Sequence, residues 1–593
     1  MRLLVTTIII LLIAGGCKSG TTPENTSGAV NRMFNHYWED RMKLYPLEAT
    51  ANGDNRYNDQ YPNVASAAYR EQLKAFYQSY LDSINTFNRD NLNDNDRISF
   101  DIFKREMQIQ LENFRFMHDF YMPINQFDSP NLTFGQLGSG EGNQPFKTVT
   151  DYNNWLKRVD GFCVFLDSAI ANMREGMKLH YVWPKSLITK MIPQAKDLVV
   201  NDVTNSLFYG PIKKMPKEFS NADKKNLTEA YTHAITEKIN PAFQKLADFL
   251  EKEYLPAGRT SSGFDSLPDG KERYAYLVRV WTTTDKTPEE IYETGLKEVA
   301  RIRGEMERIK NEVGFKGDLK AFFEFMKNDK QFMPYKTPQE VLDAFHAIHT
   351  KMEPQLKKLF THVPKTKFEI RQTEAFRAAS ASAEYMQGTA DGSRPGIFYV
   401  PILDATKFNT TSGMESLFLH EAIPGHHYQI SLQQENESLP KFRRFSWYGA
   451  YGEGYALYCE SLGKELGLYT DPYQYMGALG DEIHRAIRLV VDVAIHTKGW
   501  SREKAINYML ENEAISEQGA TAEIERYMAI AGQALSYKIG ALKIRELRTK
   551  YEQQLGNNFN IASFHDELLK DGCMPLAVLE EKMNNWAAAQ KNK

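Results

Sequence analysis

The chain has 593 residues, 42% of them hydrophobic and 25% charged, a balance that builds a folded core and excludes a disordered chain. Its 72 Lys and Arg against 76 Asp and Glu leave a net charge of -4, so no basic footprint covers the surface and nucleic acid is not expected as a partner. Only four cysteines are present, which excludes a disulfide scaffold or a cysteine-rich zinc module.

The first segment, MRLLVTTIIILLIAGGC, has Arg2, an apolar run from Leu3 to Ile13, and the small residues Ala14, Gly15 and Gly16 before Cys17. It reads as an export signal over 1–16 rather than a spanning helix. Its end resembles a bacterial lipoprotein processing box, in which Cys17 is lipidated and becomes the mature N-terminus. Lys18 stands where an inner-membrane retention signal of that class would place Asp, so the resemblance implies an outer-membrane lipid anchor facing the periplasm. Residues 17–32 read as the lipidated N-terminus and a tether rich in Gly, Ser, Thr and Asn. Residues 33–593 read as one helical body with room for two subdomains around a cleft.

Helical periodicity runs from Met33 to about Gln126, and the Pro-, Gly- and Asn-broken FYMPINQFDSPNLTFGQLGSGEGNQPF reads as a long loop or lining segment. Helices resume near Thr148, and Pro193 is expected to kink or divide LITKMIPQAKDLVV. Thr287 caps the helix that opens with Pro288, Glu289 and Glu290. A further helix spans Pro338 to Leu359. TKFEIRQTEAFR and GIFYVPIL carry enough Phe, Ile, Tyr and Val for short strands, so the class is mainly α, a large multi-helix body with a minor β-sheet. DGSRPGIFYV is weighed as an edge strand able to hold an extended peptide, against a plain structural turn and strand.

MESLFLHEAIPGHHYQISLQ gathers His420, Glu421, His426 and His427 around Pro424 and Gly425. The short zinc motif places two histidines four apart on one helix face, but here Pro424 occupies the fourth position. Pro424 lacks the helix donor and Gly425 admits unusual backbone geometry, so a bend can return His426 toward His420. These two are the preferred metal ligands. His427 lies about 10.5 Å of helical rise from His420 and is the second choice. Downstream, WYGAYGEGYALYCESLGKELGL offers Glu453 and Glu460. One carboxylate completes a zinc set: Glu453 is assigned to it, with Glu460 as the alternative ligand or the group that orients a histidine.

Zinc polarises a carbonyl and acidifies water, while Glu421 takes the proton and returns it to a departing amine. Tyr527 in EIERYMAIAGQALSYKIG is the candidate donor to a developing oxyanion, with Arg526 and Lys538 as candidates for holding substrate. His484, Arg488, Asp492 and His496 repeat every four residues, and Arg488 can take a peptide carboxylate through its planar fork. Each of these residues also fits an ordinary ion pair or buried network.

HEAIPGHHYQ and EGYALYCE, with YPLEATANGDNRYND, LPDGKERY, TTTDKTPEEIYETGLKEV and FHDELLKDGCMPLAVLE, resemble the bacterial domain-of-unknown-function 885 family over most of the chain after residue 45. That family is grouped with largely helical zinc-dependent peptidases similar to thimet oligopeptidase and the thermostable carboxypeptidases. The resemblance implies His420 and a histidine after the Pro-Gly insertion as ligands, Glu421 as general base, and a Glu of the second string as third ligand. The expected activity is zinc-dependent hydrolysis of short periplasmic peptides, with no obligate protein partner. Two readings stand beside it: a metal-dependent amidase or esterase on a small or cell-wall-derived substrate, and a noncatalytic peptide-binding lipoprotein.

Overall fold

Helix starts follow the side chains that cap them. Thr287 accepts from the amide of Glu290 at 3.2 Å, and the Glu290 carboxylate takes the amide of Thr287 at 2.7 Å, which fixes the start of the Pro288–Glu312 helix. Thr148 and Asp151 repeat this reciprocal cap, and Thr337 caps the Pro338–Leu359 helix. The computed structural model describes residues 23–374, 378, 382–389, 392 and 394–591. The expected export signal and Cys17 lie outside these residues.

Three local expectations change. The tether expected over 17–32 is helix from Pro23 onward, within Pro23–Leu44. Proline in a first turn gives up an amide that has no helical partner anyway, and Val30 and Phe34 are buried, Phe34 against Phe103 and Phe442 at 5.2 and 4.8 Å between rings. The expected long loop contains the Pro130–Gly138 helix, whose Phe134 stacks on Phe162 at 3.7 Å. Pro193 does not divide its helix, which runs from Lys185 to Lys196; the proline falls in the last turn, where few bonds remain to be lost.

Among the described residues the body is mainly α-helical with a three-stranded sheet of order β1-β3-β2. β1 (Phe368–Gln372) runs parallel to β3 (Gly396–Val400), and β2 (Glu384–Met386) runs antiparallel to β3 with Tyr385 opposite Phe398. GIFYV is therefore the central strand, buried along its length and paired on both sides, which corrects the edge-strand expectation. β2 is the edge that borders the cleft. No helix among the described residues is long and apolar enough to cross a membrane.

Two close helix pairs position the chemistry. Pro288–Glu312 packs along Pro472–Thr497, and Gly449–Glu460 packs along Ser536–Leu555. The second pair touches backbone to backbone: a Cβ on Gly540 would meet the Ala450 carbonyl oxygen at 1.7 Å, and one on Gly454 would meet the Gly540 Cα at 2.5 Å. Only glycine at both places lets the helices come this near, and their contact holds Glu453 and Glu460 in place.

Candidate metal centre

The HEAIPGHH segment is two short helical pieces separated by a turn. Phe418–Ala422 is a wide helical turn that carries His420 and Glu421, Ile423 is extended, the Ile423–Pro424 peptide is cis, and a new helix begins at His426. At Gly425 a Cβ would fall 2.0 Å from the His420 carbonyl oxygen and 2.3 Å from that of Leu419. The missing side chain is what lets the second helix start against the first. The chain breaks where a kink was expected, and the His420 and His426 rings end 4.9 Å apart and nearly perpendicular.

Both imidazoles turn Nε2 toward one carboxylate. Glu453 Oε2 lies 3.4 Å from His420 Nε2 and 3.6 Å from His426 Nε2. Ligand atoms of His420, Glu421 and His426 also fall within 4.8 Å of one another. Two nitrogens and neighbouring carboxylates form a cluster that can hold a metal ion, and this donor set suits zinc. On the far side of the ring His420 Nδ1 donates to Glu460 Oε1 at 2.7 Å, which fixes the tautomer that leaves Nε2 facing the cluster. Glu460 thus stands behind His420 rather than among the converging atoms.

Burial penalises a charged His420, but the Glu453 and Glu460 carboxylates outweigh it and raise the group to about 10. Burial likewise opposes ionised Glu453, and the two imidazoles overcome it and hold the carboxyl well below its usual range. Without a cation the cluster draws in protons. Glu421 is anchored separately: its Oε2 accepts the amide of Tyr385 on β2 at 3.0 Å.

The cluster lies in a cavity of about 670 Å³ whose walls include Tyr385, Trp447, Arg485, Arg488 and Tyr537 with His420, Glu421, His426 and Glu453. His427 turns away from it. Its Nδ1 meets the Tyr385 hydroxyl at 2.9 Å, its ring packs 5.0 Å from Phe368, and burial lowers it to about 4. Adjacent residues on a helix project about 100° apart, so His427 faces the sheet once His426 faces His420.

Arg488 reaches the cavity, held by the Tyr527 hydroxyl at 2.9 Å and Glu523 at 3.0 Å, with its guanidinium 4.6 Å from the Tyr537 ring centroid. Tyr527 itself is fully buried, its hydroxyl bound to Arg488 and Glu523, so the expected oxyanion donor is a strut beneath the arginine. Arg526 bonds Gln533 at 2.8 Å and pairs with Glu523, outside the cavity. Lys538, also expected to receive substrate, is buried between Glu482 at 2.7 Å and Glu298 at 3.0 Å. In the remaining stripe, His484 bonds Glu513 at 2.7 Å, Asp492 accepts the Tyr274 hydroxyl at 2.6 Å, and His496 accepts the amide of Phe264 at 3.1 Å.

The sequence reading assigned no site role to several cavity residues, among them Tyr385, Trp447, Arg485 and Tyr537. Arg485 lies three residues before Arg488, a spacing that shares a helix face as surely as four does. For Tyr385, on a three-residue strand, no local signal exists.

Comparison with curated proteins finds no match. Among solved structures, the chain is similar to a candidate lipoprotein from Colwellia psychrerythraea, at 27% identity and a TM-score of 0.86 over 96% of this chain and 100% of the other. It shares its fold with a candidate lipoprotein of unknown function from Shewanella oneidensis, at 18% identity and a TM-score of 0.74 over 93% and 99% of the two chains. Residues 46–583 match the model of a bacterial protein family of unknown function, and the chain belongs to that family, DUF885.

Proposed function

We propose that the protein is a zinc-dependent hydrolase of short peptides. The observation that carries this reading is the convergence of His420 and His426 Nε2 on Glu453, with Glu421 held beside them by a β2 amide in an open cavity. His420, His426 and Glu453 would hold the ion; zinc bound there would supply Lewis acidity to the carbonyl and lower the pKa of water. Glu421 would take a proton from the attacking water and pass it to the leaving amine, with the Tyr385 amide keeping its carboxylate oriented. Tyr537 replaces Tyr527 as the hydroxyl available to the developing oxyanion, since it lines the cavity and Tyr527 does not.

Substrate size and polarity follow from the walls. A cavity of about 670 Å³ suits a few residues of peptide rather than the face of a folded protein. Arg485 and Arg488 both line the cavity, and their positive charge makes a peptide carbonyl or carboxylate the fitting complement. The Cys17 processing box and the similarity to candidate lipoproteins support export and a lipid anchor, which we place at the outer membrane facing the periplasm.

Zinc binding and hydrolysis of mixed short peptides by the purified body test this reading. Glu421→Gln keeps stoichiometric zinc and loses hydrolysis, whereas His420→Ala loses both. Turnover of simple esters or cell-wall fragments with intact peptides would replace the peptidase reading with an amidase or esterase.

A further inference from the structure

A second cavity, of about 550 Å³, borders the metal cavity, and Arg485 lines both. One helix face joins them. Along Pro472–Thr497, Gly477, Gly480, Asp481, His484 and Arg485 line the second cavity at steps of three or four residues, and Arg488, next on that face, lines the first. At about 1.5 Å of rise per residue, Gly480 stands roughly 12 Å from Arg488 along the axis, the span of three or four residues of extended peptide. A peptide that lies along this face from the metal centre enters the second cavity as it passes Arg485.

The charged side chains on the helix side of this cavity are engaged with near neighbours. His484 bonds Glu513 at 2.7 Å, Arg485 meets Asp481 at 3.4 Å, and the Ser416 hydroxyl donates to Asp481 at 2.5 Å. The rest of the wall is largely apolar. Met306, Met326 and Met476 are buried in it, while Phe323, Met333 and Ile515 are only half-buried and keep apolar surface open to the cavity. The unbranched thioether of methionine adapts to side chains of different shape. A Cβ on Gly480 would meet nothing within 4 Å, so at that point the helix faces free space rather than a packed neighbour. An apolar group entering this space removes surface from water on both partners.

We propose that this cavity is a specificity pocket that takes one large apolar side chain of the peptide, a leucine, methionine or phenylalanine, three or four residues along the chain from the part held at Arg488. The proposal rests on the peptide reading above. Burying the extra apolar surface of such a side chain over that of alanine tightens binding by about tenfold or more. The contact lies away from the reacting bond and is made equally in substrate and transition state, so it lowers KM and leaves kcat alone.

The test uses octapeptides of alanine and glycine in which leucine, methionine or phenylalanine replaces alanine at each position in turn. They are titrated calorimetrically into the Glu421→Gln chain, and their cleavage by the parent chain is followed separately. At one position the large apolar residue tightens binding at least tenfold, and in the parent the KM falls at that same position with kcat unchanged. Gly480→Leu, which plugs the cavity from its open side, abolishes the gain, and Gly480→Ala reduces it in part; both replace glycine within a helix, where either residue is better tolerated. Binding that shows no preferred position overturns the proposal, as does a preference that Gly480→Leu leaves intact. Octanoate bound in a manner that Gly480→Leu abolishes, with no gain for any peptide, assigns the cavity to an acyl chain and overturns it as well. Cleavage without preference removes the pocket and leaves the hydrolase reading standing, whereas a Gly480-dependent preference in binding with no cleavage by the parent does the reverse.

Discussion

Gly425→Ala is the sharpest perturbation of the metal centre, because it adds one methyl group where two carbonyl oxygens already stand. The new Cβ would meet the His420 oxygen at 2.0 Å and the Leu419 oxygen at 2.3 Å, while ordinary contact begins at 3.4 Å. Both obstacles are backbone, so no side chain can rotate aside, and the start of the His426 helix must move by roughly 1.4 Å. Metal–ligand lengths tolerate only about 0.2 Å, so a shift of that size takes His426 out of reach. We expect the zinc Kd to rise at least ~100-fold, or ~2.7 kcal/mol, and the unfolding free energy to fall by ~1–3 kcal/mol. Competition with a chelator reads the first, and a denaturant titration of the metal-free chain reads the second. Gly304→Ala is the control: a Cβ there meets nothing within 4 Å in the middle of a helix, so the change should stabilise by up to ~1 kcal/mol and leave zinc affinity untouched. Gly425→Ala protein that binds zinc within twofold of the parent refutes the claim that this turn assembles the site.

The two tyrosines separate by assay. Tyr537→Phe should cut kcat about 10²-fold or more with little change in stability, while Tyr527→Phe should cost ~1–2 kcal/mol of stability by stranding Arg488 and Glu523; equal effects on kcat would return Tyr527 to the chemistry. Burial raises Asp492 to about 7, against the lowering effect of its bonds to Tyr274 and Gly532. The folded chain therefore keeps this proton while the unfolded chain releases it near pH 4, so the contribution of Asp492 to stability is present below pH 4 and is lost as pH rises through the window from about 4 to 7. Asp492→Asn has no proton to lose, and its stability relative to wild type should climb across that window by at most ~1.4 kcal/mol per pH unit, then level off; a pH-independent difference in urea unfolding would refute the buried neutral carboxyl.

Signals carried by neighbouring residues were legible in the sequence. The Thr287 cap, the Pro338–Leu359 helix and the strands in FEIRQ and GIFYV all depend on residues a few positions apart, and each forms in the structure. The break at Pro424 and Gly425 was legible because proline withholds a donor and glycine lacks a side chain. What failed was whatever depends on which face is covered. Helix rather than tether after Pro23 follows from Phe34 finding Phe103 and Phe442, which are distant in sequence. Tyr537 and Lys538 are neighbours, yet one lines the metal cavity and the other is locked between Glu298 and Glu482, a choice made by the helices around them. Tyr527 shows the same limit: its spacing suits a functional helix face, and only the packing of Pro472–Thr497 against it decides that the face is buried.

Anomalous diffraction at the zinc edge from crystals of the metal-loaded body tests the central claim most directly. The account predicts one strong peak bound by His420 Nε2, His426 Nε2 and a Glu453 oxygen at about 2.0–2.2 Å, with Glu460 still on His420 Nδ1 and Glu421 nearby but not bonded to the ion. A peak at His427, or none among these side chains at full zinc loading, would contradict it.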